Sequence, residues 1–82
     1  MNKDQLDIFK KIVTDYCEVL VDNYFSGHPK TTLERDYYDF VTGLQTMYVV
    51  AFGTLGLSEM TATAHDIKLK YWEMMEDNNE SV

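Results

Sequence analysis

Cysteine is almost missing from this chain. Cys17 stands alone, so no disulfide can close within it. A lone thiol fits a reducing compartment, and its plainest role is that of a small buried hydrophobe. Histidine is nearly as scarce: His28 and His65 lie far apart in sequence and match no zinc-ligand spacing. No Ser–His–Asp or Cys–His arrangement can be drawn, so no catalytic residue, metal or cofactor is expected. Basic residues are few: 7 Lys and Arg face 14 Asp and Glu, giving a net charge of −7. That balance disfavours polymeric nucleic acid and anionic membranes as partners. The start, Met1-Asn-Lys-Asp, leads into no apolar run of the kind a secretory leader needs, so a cytoplasmic protein is expected. Strand patterns, internal repeats and domain linkers are absent too.

What remains is helix. The 82 residues suit one small domain, expected over 1–76, with a flexible acidic tail over 77–82. Helix one is predicted from about Lys3 to Tyr24, with Leu6, Phe9, Val13, Tyr16 and Leu20 at spacings of three and four. Ile8, Ile12 and Val19 widen that stripe beyond what one partner helix needs. Ser26-Gly27-His28-Pro29 breaks the helix. Thr31 and Glu34 have capping-box spacing for helix two, whose stripe is Leu33, Tyr37, Val41, Leu44, Tyr48, Ala51 and Leu55. Gly53 and Gly56 end it. Ser58 or Thr61 is expected to cap helix three, which should reach about Glu76. The fold expectation is all-α: three helices, the last two an antiparallel hairpin beside the long first one, forming a homo-oligomer through the surplus apolar faces.

Phe40 to Leu57 holds no charged residue. A membrane span is nevertheless rejected. The run is short, contains Gln45, three Thr and three Gly, and is flanked by Asp39 and Glu59 rather than by basic residues. A helix apolar on several sides is a central core helix, buried further in an oligomer interface. Tyr37, Tyr48, Tyr71 and Trp72 are candidate interface aromatics.

One segment carries chemistry. Tyr24 to Tyr38 sets His28, Lys30 and Arg35 among tyrosines at a helix start, in a chain otherwise acidic or apolar. A helix N-terminus attracts anions through free N–H groups and the dipole. Lys30 supplies a point charge, Arg35 a planar fork for phosphate oxygens, and Thr31 and Thr32 hydroxyl donors. A tyrosine of this segment, Tyr24 among them, or Tyr16 from the neighbouring helix, would stack on a base. The ligand class this points to is a nucleotide, although the segment lacks the glycines and the Gly-Lys-Ser/Thr order of a P-loop. A plain solvated helix–helix connection is the competing explanation.

Tyr24, His28-Pro29-Lys30, Arg35 and Tyr37, then a long helix, a turn with Ser58 and a last helix with Trp72, resemble the phage anti-CBASS sponge proteins. The resemblance implies a small helical protein that assembles into hexamers and sequesters cyclic oligonucleotide signals, silencing host defence. It also implies phosphate contact by Lys30 and base stacking by Tyr16 across a dimer interface. The last helix departs from the family: Trp72 is followed by Glu73-Met74-Met75, where the family carries Trp-Ala-Asn-Ala.

Two other readings stand beside this one. The chain's acidity fits a helical protein that binds and inhibits a host protein, presenting carboxylates like a nucleic-acid backbone. Gly56-Leu-Ser58 with Thr61 resembles the turn of a helix-turn-helix regulator. Its second helix offers only Lys68 and Lys70, late, and no Arg or Gln early where bases are read.

Overall fold

The computed structural model describes residues 2–80. They form three helices, α1 (Lys3–Phe25), α2 (Lys30–Phe52) and α3 (Leu57–Glu80), and no strand. The all-α expectation holds, and each boundary has a local cause. Asn2 caps α1 in a reciprocal box: its Oδ1 accepts the Gln5 N–H at 2.9 Å, and Gln5 Oε1 accepts the Asn2 N–H at 3.0 Å. Gly27, at φ +106°, turns the chain out of α1 in a region that favours glycine.

The box expected at Thr31 and Glu34 does not form. Pro29 occupies the N-cap of α2 at φ −63° and provides no side-chain cap. Its carbonyl accepts N–H groups from Thr32 and Leu33, which draws Lys30 and Thr31 into the first turn. Gly53, at φ +87°, ends α2 and donates its N–H to the Val49 carbonyl. Helix α3 begins at Leu57, so Ser58 and Thr61 lie inside it rather than capping it. It continues to Glu80, four residues past the expected boundary at Glu76. The tail expected over 77–82 thus overlaps the end of α3, and its last two residues lie outside the described residues.

The three helices run up, down and up. Tyr48 lies beside Gln5 and Phe9, and Phe40 beside Tyr16, so α2 is antiparallel to α1. Lys30 meets Glu76, Glu34 meets Trp72 and Gln45 meets Thr61, so α3 is antiparallel to α2. The antiparallel α2–α3 pair therefore forms, yet α3 packs more extensively on α1 than on α2. The bundle is slender, 45 × 19 × 16 Å.

The core joins Phe9, Val13, Cys17 and Leu20 of α1 to Leu33, Tyr37 and Val41 of α2 and Met60, Ala64, Trp72 and Met75 of α3. Burial of so many apolar side chains, at roughly 1.5–3 kcal/mol for each large one, is the main stabilising contribution. Two aromatics expected at a subunit interface are instead core. Tyr37 is 5% exposed and Trp72 6%. Both turn inward because each ring's polar atom finds a partner there. The Tyr37 hydroxyl donates to the Ala64 carbonyl, and Trp72 Nε1 donates to Glu34 at 3.0 Å. The α2 stripe also stops short of its expected end. Leu55 falls in the turn after Phe52 and is 94% exposed. No helix of the described residues is long and apolar enough to cross a membrane.

Candidate functional site

The candidate site is a groove between α2 and α3. Thr31, Arg35, Tyr38, Thr42 and Gln45 project from one wall at helical spacings. Thr61, His65 and Lys68 project from the other at the same spacings. Tyr37, Val41 and Ala64 form its buried floor. The space above that floor measures about 750 Å³. This is within the size range of small-molecule sites.

Hydrogen bonds hold both ends. At one, Gln45 Nε2 donates to the Thr61 hydroxyl at 2.8 Å. At the other, Trp72 Nε1 donates to the Glu34 carboxylate, and Lys30 pairs with Glu76 at 2.9 Å just beyond. The Lys68 ammonium lies 5.1 Å from the centre of the Trp72 ring, within range of a cation–π attraction. Arg35 and Lys68 are two of the chain's seven cations, and neither makes an ion pair among the described residues. Glu34 is the one carboxylate on the groove wall, and the indole N–H already occupies one of its oxygens.

The residues expected from sequence to bind ligand scatter. Thr31 and Arg35 line the groove. Lys30 does not: its ammonium turns to Glu76, because α3 extends far enough to bring that carboxylate across. Thr32 is half-buried and off the groove wall. One face of the Tyr16 ring lies parallel to Phe40 at 4.0 Å and 11°, away from the groove lining. Burial, then the nearby Asp36 and Asp39 carboxylates, push its hydroxyl above the usual tyrosine range. Tyr24 packs edge-on against Phe25, and exposed His28 sits in the loop with its N–H on the Asn23 carbonyl.

The other expected interface residues make contacts within the chain as well. Tyr48 packs edge-on to Phe9, and its hydroxyl donates to the Gln5 carbonyl at 3.3 Å. Tyr71 reaches Glu18 at 3.4 Å. Sequence reasoning held Tyr38 only as one tyrosine of the Tyr24–Tyr38 segment and did not bring Thr42, Gln45, Thr61, His65 and Lys68 to a candidate site. A polar stripe at spacings of three and four on both helices was the available signal.

Burial pushes the Cys17 thiol up to about 12, so this cysteine is an inert core group. Among the described residues no three His, Cys, Asp or Glu side chains are grouped to hold a metal ion. No protein-family model, curated protein or solved structure matches the chain.

Proposed function

We propose that this chain is a non-enzymatic binding protein that sequesters a small anionic ligand bearing an aromatic base, of the cyclic-nucleotide class, in the α2–α3 groove. One observation carries the reading. In a chain of net charge −7, Arg35 and Lys68 face a common groove without ion-pair partners among the described residues, beside the exposed ring of Tyr38. Arg35 offers its fork to phosphate oxygens. Lys68 offers a point charge steadied by the Trp72 face. Tyr38 supplies a stacking surface for a base, and Thr31, Thr42, Gln45 and His65 supply polar contacts along the walls. Holding and withholding the ligand is then the activity, as in the phage sponge proteins the sequence resembles, and the signal so removed would be one of host defence.

The helix-turn-helix reading has less support. Those motifs cross their helices at about 90–120°. Here α2 and α3 lie alongside one another from the Lys30–Glu76 pair to the Gln45–Thr61 bond.

Thermal melting tests the proposal. A ligand at a hundred times its Kd adds about 2.7 kcal/mol to folding stability. For a domain of this size each kcal/mol raises Tm by about 4–8 °C. A panel of cyclic di- and trinucleotides should therefore contain a member that raises Tm by more than about 10 °C. Arg35→Ala and Lys68→Ala should each suppress that rise. No shift across the panel would sink the reading in favour of a protein partner.

A further inference from the structure

Glu34 is at odds with the rest of its groove. It is the one carboxylate among the described residues that line the walls, in a space that also holds Arg35 and Lys68. A carboxylate repels a bound phosphate, so its place there needs another cause. Part of that cause is structural, because one oxygen accepts the Trp72 indole N–H at 3.0 Å. That bond fills one of about four acceptor sites on an ionised carboxylate. Glu34 is exposed and lines the groove, so the other acceptor sites are open to a ligand.

We propose that Glu34 selects the base of the ligand: its carboxylate accepts the N1–H and the N2 amino group of a guanine stacked on Tyr38. This rests on the groove holding a nucleotide, and adds which base it takes. Two placements favour it. Glu34 and Tyr38 stand four residues apart on α2, so the acceptor and the stacking ring are neighbours one turn apart. Tyr38 is 72% exposed, which leaves its ring open to a base. Trp72 then fixes the acceptor. Its N–H holds Glu34, and its ring centre lies 5.1 Å from the Lys68 ammonium. One indole thus sets a base acceptor from α2 and a phosphate-binding cation from α3 at the same end of the groove.

The chemistry separates the bases. Guanine carries two adjacent donors on its pairing edge, which match the two oxygens of an acceptor-only carboxylate. Adenine carries one donor beside the N1 acceptor, and that lone pair would face the carboxylate unpaired. Hypoxanthine keeps the N1–H and lacks the amino group, so it falls between them.

Isothermal titration of cyclic diguanylate, cyclic di-inosinate and cyclic diadenylate into the unaltered chain and into Glu34→Gln tests this. The unaltered chain should bind the three in that order, with cyclic diguanylate about tenfold or more tighter than cyclic diadenylate. That order needs no variant to be read. Glutamine keeps an oxygen for the Trp72 N–H, so Glu34→Gln should retain its helical circular-dichroism signal and melt close to the unaltered chain. It replaces the second oxygen by a donor, so its guanine preference should fall below about twofold. Equal binding of all three, tighter binding of cyclic diadenylate, or a guanine preference that Glu34→Gln retains overturns selection by Glu34 and leaves the groove reading in place. Binding of none of the three overturns it as well, and the groove reading falls with it if the wider nucleotide panel is also silent.

Discussion

Replacing Tyr37 by phenylalanine removes one oxygen and keeps the ring. That oxygen donates to the Ala64 carbonyl across the α2–α3 contact, and the ring stands edge-on to Trp72 at 5.6 Å and 62°. The ring's packing survives the substitution, so no cavity term enters. The Ala64 carbonyl also keeps its place in the α3 backbone ladder, so no buried acceptor is stranded. The cost is therefore the net worth of one buried hydrogen bond, about 0.5–1.5 kcal/mol. At about 4–8 °C per kcal/mol, Tm should fall by roughly 2–12 °C. Calorimetry on dilute protein, with circular dichroism confirming unchanged helix content, reads this directly. The alternative role for Tyr37, at a subunit interface, predicts an unchanged Tm in dilute protein and a loss only of association. That result would refute the placement of Tyr37 in the protomer core. A loss well above 3 kcal/mol would refute the claim that the ring stays packed.

Three further outcomes follow from the same geometry. Cys17 should resist alkylation in the folded protein near pH 8 and react only on unfolding, because its thiol is buried and pushed up to about 12; rapid labelling of native protein would contradict this. Folding stability should also fall as pH rises from about 9 toward 12, since the unfolded chain releases the Cys17 proton from an ordinary value near 9 while the folded chain retains it. Tyr37, likewise raised by burial, adds to that alkaline loss, so Cys17→Ala and Tyr37→Phe should each flatten the pH profile of Tm. Lys30→Ala should cost less than about 1 kcal/mol, because the Lys30–Glu76 pair lies at the surface with Glu76 exposed to solvent, and should leave groove binding within about twofold.

Much of the architecture is legible in the sequence, and the reason is periodicity. Phe9, Val13, Cys17 and Leu20 mark the buried face of α1 by spacing alone, and Gly27 and Gly53 stand at its two principal breaks. The boundaries that escaped are those set by backbone partners. Pro29 caps α2 through its carbonyl, which no side-chain rule reveals, and this displaced the expected Thr31–Glu34 box. The site was harder. Lys30 and Arg35 look alike as basic residues near a helix start. Only the pairing of α3 against α2 assigns one to Glu76 and the other to the groove. Lys68 and His65, far away in sequence, join Arg35 for the same reason. Aromatic surplus was misread at Tyr37 and Trp72 because composition does not disclose which rings find a hydrogen-bond partner on a neighbouring helix.

The central claim is that the α2–α3 groove binds a phosphate-bearing ligand through Arg35 and Lys68. Isothermal titration of the cyclic dinucleotide giving the largest rise in Tm, into the unaltered chain and into three variants, tests it most directly. Hydrogen bonds to a charged group contribute about 1.5–3 kcal/mol, so Arg35→Ala and Lys68→Ala should each weaken binding about tenfold or more. Lys30→Ala should bind as the unaltered chain does. Tight binding that survives both groove substitutions and is lost in Lys30→Ala would contradict the account and return the site to the start of α2.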